Sequence, residues 1–185
     1  MKTLEAYEKD IFAQPKFLQQ FNVPKPISKT LQRNVIFCGT GDSLVSAMLA
    51  EVFSNYFVKS FDPFDLLKFK TLVKNKTIYL VSISGNTISN IKVAKIAKKS
   101  VAITSKPQSR LANACTSSLI LNSPNSDVFT AGSISFLESA LTCISLVTHI
   151  TIPKDLRIFK KALSDAKKSK FGKRIFILGS AHTFP

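Results

Sequence analysis

Ser82-Ile83-Ser84-Gly85-Asn86-Thr87 sets hydroxyls, an amide and a glycine side by side at the end of an apolar run, Thr77-Ile78-Tyr79-Leu80-Val81. A segment of helical period follows, so the stretch reads as strand, hydroxyl-rich turn, then helix. Neutral donors and free backbone N–H groups at the positive end of a helix dipole suit a phosphate monoester that must also be released. Ser82 and Ser84 are two apart, which in an extended strand puts both hydroxyls on one face. Gly85 lets the backbone turn directly after them, and Asn86 or Thr87 can cap the helix. Capping would use one polar side chain, whereas the stretch offers Ser82, Ser84, Asn86 and Thr87.

A second turn of similar character, Gly39-Thr40-Gly41-Asp42-Ser43, follows another apolar run, Asn34-Val35-Ile36-Phe37-Cys38. It is not a dinucleotide fingerprint, because Leu44 stands where the third glycine belongs. Nor is it a nucleoside-triphosphate loop, since no Gly-Lys-Ser/Thr follows. Taken alone it is equally well a tight strand-to-helix connection with no ligand.

The elements that must position these turns alternate along the chain. Strands are expected at 34–38, 77–83, 101–104 and 118–121, with a short one at 59–61. Helices are expected from about Ser43 to Phe57, after Asp62-Pro63, from about Asn86 to Lys99, around 109–114, over 132–150 and over about Lys154–Ser169. Continuous apolar strands alternating with helices imply a parallel sheet covered on both faces, whose ligands sit at the strands' carboxyl ends. Both hydroxyl-rich turns are such ends. Residues 1–33 form an N-terminal arm interrupted by Pro15, Pro24 and Pro26, with room for one or two short helices over Leu4–Phe21.

Composition bounds the partners. Hydrophobic residues make up 45% and charged residues 20%, which is globular rather than disordered. The net charge of +15 favours anions without choosing among metabolites, nucleic acid and acidic surfaces. Cys38, Cys115 and Cys143 lie far apart in or beside apolar segments and read as buried reduced thiols, which suits a cytoplasmic protein. No metal or cofactor is expected. The start of the chain lacks a signal-peptide core, and Gly132–Ile150, with Glu138 and His149, is too polar for a membrane span.

With its Gly39–Ser43 partner, the Ser-x-Ser-Gly-Asn-Thr turn resembles the sugar isomerase (SIS) domain family over roughly residues 33–150. It is most similar to the archaeal phosphoglucose/phosphomannose isomerases. The isomerase half of glucosamine-6-phosphate synthase has a related turn with Glu in place of Asn86. The resemblance implies a flavodoxin-like α/β/α sandwich with a mainly parallel sheet of about five strands, commonly in tandem copies and dimeric. It further implies that Ser82, Ser84 and Thr87 ligate a sugar phosphate, with Gly85 and Asn86 completing the turn and Gly41 and Ser43 nearby. Acid–base residues in such isomerases come mostly from a second lobe or partner subunit, so none is assigned here. The segment Ser126–Ser133 lacks the arginine of the phosphoglucose/phosphomannose isomerases, leaving the ligand open between a hexose phosphate and an amino-hexose phosphate.

The expected organisation is therefore an arm at 1–33, an SIS domain at 34–153 and a basic connecting helix at 154–172. A second, truncated lobe would open at 173–185, where Lys173–Thr183 parallels Arg33–Ser43, so the chain reads as a fragment of a two-lobed protein. The function expected is sugar-phosphate binding within an isomerase or aminosugar isomerase/deaminase, as a homodimer. The alternative is a non-catalytic sugar-phosphate sensor. Nucleic acid is not an expected partner, because the arm is too short for a helix-turn-helix and the basic 154–174 segment reads as a solvated helix face. His182, His149 and Glu138 are given no catalytic role. His149 is expected on the apolar helix or at its end, and Glu138 as a partly exposed structural residue.

Overall fold

In the computed structural model the described residues are 3–122, 133–153, 155, 157–170 and 172. Five strands form one parallel sheet: β1 (Val35–Cys38), β2 (Lys59–Phe61), β3 (Thr77–Val81), β4 (Lys99–Thr104) and β5 (Ser117–Ile120), in the order β2-β1-β3-β4-β5. Eight α-helices accompany them among the described residues: α1 (Thr3–Gln20), α2 (Lys29–Gln32), α3 (Asp42–Phe53), α4 (Pro63–Lys68), α5 (Ile88–Ile96), α6 (Arg110–Ala114), α7 (Ile134–Ser145) and α8 (Arg157–Lys168).

The pleat sorts the strand side chains between two cores. Val35, Phe37, Val81 and Ile103 pack with Ala47 and Ala50 of α3 and Cys143 of α7. Ile36, Cys38, Ile78, Leu80 and Ala102 point the other way, toward Leu66 of α4, Ile91, Val93 and Ala94 of α5, and Leu111 of α6. Helices thus cover both faces of the sheet, giving the expected three-layer α/β/α sandwich. Small residues let α3 lie close against sheet and α7 alike, and Ser46 reaches Ser139 of α7 at 2.9 Å.

Several boundaries differ from the sequence expectation, each for a local reason. α3 stops at Phe53 rather than near Phe57, because Asn55 adopts a left-handed φ of 55°. The amides of Asn55 and Tyr56 then double back to the carbonyls of Val52 and Glu51, a Schellman closure. α5 ends at Ile96 and β4 begins at Lys99, because the backbone is already extended at Ala97. Within α5, Ile91 is buried and Ile88 is exposed. α7 runs only from Ile134 to Ser145, so His149 lies beyond it and is exposed, neither in the core nor at the helix end. The Leu4–Phe21 part of the arm forms one helix, the 18-residue α1 carrying Pro15, and the short α2 and a 3-10 turn at Lys70–Val73 had no sequence signal. The Asp62-Pro63 start of α4 is as expected, with the Asp62 carboxylate accepting the Phe64 amide at 2.9 Å.

The α8 helix carries Lys160, Lys161, Lys167 and Lys168 and buries none of its residues. The 173–185 segment, with His182, and most of 126–133 lie outside the described residues.

Candidate functional site at the carboxyl edge of the sheet

A strand order of 2-1-3-4-5 reverses direction between β1 and β3, and the crevice outside that switch point is where open parallel sheets bind ligands. The two turns singled out by sequence leave the carboxyl ends of these two strands. β1 and β3 are paired from Val35–Thr77 to Cys38–Leu80, so the turns start as neighbours, about 4.8 Å apart in the sheet.

The turn after β1 is built from backbone. Gly41 occupies the N-cap of α3 with φ of +59°, a conformation that costs most residues free energy. Its carbonyl accepts the amides of Leu44 at 2.8 Å and Val45 at 3.1 Å, which leaves the amides of Asp42 and Ser43 ahead of the first intrahelical bond. Ser43 is half-buried in that first turn, and Gly39 lies so close beneath it that a Cβ there would stand 2.6 Å from the Ser43 carbonyl carbon.

The turn after β3 is built from side chains. The strand ends at Val81 rather than Ile83, so Ser82 and Ser84 are not two residues of one extended strand. Instead Ser82–Gly85 is a reverse turn closed by the Gly85 amide on the Ser82 carbonyl at 3.0 Å. Ser82 is buried and its hydroxyl meets that of Thr87 at 2.9 Å; Ser84 is exposed and accepts the Asn86 amide at 3.3 Å. Thr87 holds the N-cap position of α5, but its hydroxyl goes to Ser82 and not to the helix amides. The first intrahelical bond is Ile91 N–H to Thr87 at 3.1 Å, so the amides of Ile88, Ser89 and Asn90 precede it. Four of the seven expected ligand residues are therefore bonded in two pairs, Ser82 with Thr87 and Ser84 with Asn86, while Gly85 shapes their turn and Gly41 and Ser43 stand on the neighbouring one.

Three residues that sequence reasoning passed over hold this second turn. The Asn90 side-chain amide is fully buried and donates to the Val81 carbonyl at 2.9 Å, closing α5 back onto the strand that feeds the turn. The hydroxyls of Thr104 and Ser105 both donate to the Ile83 carbonyl, at 3.0 and 2.9 Å. Asn90 had a readable signal, since it falls on the same helical stripe as Val93, Ala94 and Ala97 and is polar among apolar residues. The Thr104 and Ser105 bonds come from the next strand and had none.

Glu138 departs from expectation: it is buried, not partly exposed, and its carboxylate accepts the Asn122 amide at 2.6 Å. That bond seats α7 on the carboxyl end of β5, beside a cavity of about 250 Å³ lined in part by Phe17 of α1 and by Phe21 just after that helix. Burial disfavours the thiolate at all three cysteines. Burial pushes the Cys143 thiol well up, and at Cys38 Asp62 and Asp65 add to the same effect. Cys115 is half-buried and also raised by burial, with a Ser100 hydrogen bond opposing it. Among the described residues no His/Cys/Asp/Glu group is placed to hold a metal ion, and no helix is long and apolar enough to cross a membrane.

No family model matches the sequence, and no curated protein matches it. Solved structures do. E. coli CFT073 c3406, solved in complex with a sugar phosphate, superposes with a TM-score of 0.59 at 20% identity, covering 91% of this chain and 94% of that one. The C-terminal domain of glucosamine-fructose-6-phosphate aminotransferase from Francisella tularensis gives 0.58 at 17% identity, over 86% of this chain and 52% of that one. A Bacteroides fragilis protein assigned as a phosphosugar isomerase involved in capsule formation gives 0.57 at 16% identity, over 79% of this chain and 88% of that one. The chain shares the α/β/α fold of these structures. Identities this low carry the architecture, and within that fold the two turns occupy the switch-point edge described above.

Proposed function

We propose that the chain binds a phosphorylated sugar or aminosugar, as a lobe of a sugar-phosphate or aminosugar-phosphate isomerase or deaminase. One observation carries the reading: a hydroxyl-bonded turn and a glycine turn flank the β1/β3 switch point, each opening a helix whose first amides precede its own hydrogen bonds. A phosphate there would accept hydrogen bonds from Ser84 and Thr87 and from amides of α3 and α5, with Ser43 and Gly41 opposite and Ser82 holding Thr87 in place. In this reading residues 34–153 are the binding domain, 154–172 the connecting helix and 173–185 the opening of a second lobe that supplies acid–base groups. A homodimer in the cytoplasm completes the proposal. Neighbours of the same fold support it, being named as phosphosugar isomerases or solved with a sugar phosphate bound.

The test is calorimetric titration with fructose 6-phosphate, glucose 6-phosphate and glucosamine 6-phosphate. Ser84→Ala and Thr87→Ala should each weaken the preferred ligand about tenfold or more, as loss of a hydrogen bond to a charged group would. Wild-type affinity in both variants would sink the assignment. A preference for glucosamine 6-phosphate over the hexose phosphates would place the chain with the aminosugar enzymes.

A further inference from the structure

On the side of the Ser82–Thr87 turn away from β1, a cleft of about 500 Å³ opens between this turn and the one that follows β4. Ser84 and Asn86 form one wall; Lys106, Gln108, Ser109 and Arg110 form the other. Two cations share this space with neutral polar side chains, and among the described residues no carboxylate lines it. Lys106 and Arg110 are exposed, and among the described residues neither takes part in an ion pair. Like charges held at one cleft repel each other, and an anion between them turns that cost into attraction.

The walls are also fixed relative to each other. The Ser105 amide and hydroxyl both reach the Ile83 carbonyl, at 3.1 and 2.9 Å, and the Leu111 amide reaches the Gly85 carbonyl at 2.9 Å. Gly85 fits against Ser109 and Thr104 with no room for a Cβ, which would lie 2.1 Å from the Ser109 hydroxyl oxygen. A cleft with bonded walls loses little conformational freedom when a ligand enters.

We propose that this cleft is a second anion subsite, taking a phosphoryl or carboxylate group of a ligand whose first phosphate sits on the other side of the turn. Ser84 is common to both sides, so one molecule can span them. The ligand class that fits is a sugar phosphate bearing a further anionic group, such as a bisphosphate or a phosphorylated sugar acid. Lys106 and Arg110 would then set specificity, separating such ligands from simple monophosphates. This rests on the sugar-phosphate reading of the turn, and the experiment separates the two.

Isotope-labelled full chain, titrated with fructose 6-phosphate and with fructose 1,6-bisphosphate, should show the bisphosphate moving the amide resonances of Lys106–Arg110 as well as Ser82–Thr87. The bisphosphate should bind about tenfold more tightly than the monophosphate, and Lys106→Ala/Arg110→Ala should erase that advantage while leaving monophosphate affinity unchanged. Unmoved Lys106–Arg110 resonances, or an advantage retained in the double variant, would overturn the subsite. Movement at Lys106–Arg110 without any at Ser82–Thr87 would preserve the anion subsite and overturn the reading of the turn.

Discussion

The two turns at the switch point solve one problem by opposite means. Gly39–Ser43 presents backbone: its helix cap is a glycine whose missing Cβ would meet no described residue within 4 Å. Ser82–Thr87 presents side chains that bond each other, and its glycine is jammed against Ser109 and Thr104 of the next loop. Gly41 is therefore needed only for its backbone angle, whereas Gly85, at φ +63°, is needed for angle and space together. The helices that leave the turns are also pinned differently. Ser46 of α3 reaches sideways to Ser139 of α7 and keeps a second acceptor, the Asp42 carbonyl, at 3.1 Å. Asn90 of α5 reaches back to Val81 and so ties off the turn's own ring. Gly41 can therefore gain a Cβ without a clash, whereas Gly85, like Gly39 beneath Ser43, cannot.

Substitutions can break this contrast, and the largest effect should come from Gly85→Ala. Adding the cost of a left-handed alanine to that of an overpacked contact gives about 3 kcal/mol or more, read as a fall in the urea midpoint. Asn90→Ala should follow at about 2 kcal/mol, because the Val81 carbonyl is left buried without its donor. Ser46→Ala is the matched control on the other helix and should cost less, since Ser139 retains the Phe136 carbonyl at 2.9 Å. Gly41→Ala should cost about 2 kcal/mol, the conformational part alone, because φ of 59° with ψ of −132° lies outside the left-handed helical well. If Gly41→Ala proved as damaging as Gly85→Ala, the distinction between a free and a jammed glycine would be lost.

The smallest effect sharpens the comparison at the far end of α3. Burial pushes the Glu51 carboxyl up, but hydrogen bonds from the Ser60 hydroxyl and amide and from Lys59 outweigh it and hold the group below the ordinary carboxylate range. A lowered carboxyl adds stability that is complete above the unfolded value and is lost as pH falls through the folded one. Glu51→Gln should therefore destabilise by less than about 1 kcal/mol at neutral pH, with the gap closing on acidification below the carboxylate range. A gap that stays constant down to that pH would mean the contact is packing, not charge, and that β2 is held to α3 by shape alone.

Alternation of apolar runs with helical stripes determined the sandwich, because strands covered on both faces must be apolar on both parities, as Val35–Cys38 are. Local chemistry determined the Asp62-Pro63 helix start and the location of both turns, since caps and glycines act within a few residues. The ends of α3 and α5 were less legible: a left-handed Asn55 and an extended Ala97 outweigh residue types that would otherwise continue a helix. What only the tertiary structure decided is how the hydroxyls are used. Sequence put Ser82 and Ser84 on one strand face; the fold buries Ser82 against Thr87 and leaves Ser84 outward. It also set Lys106 and Arg110 beside Ser84, and Thr104 and Ser105 under Ile83, by laying β4 next to β3. Those neighbours are distant in sequence, and no spacing within one segment can announce a partner that arrives from the adjacent strand.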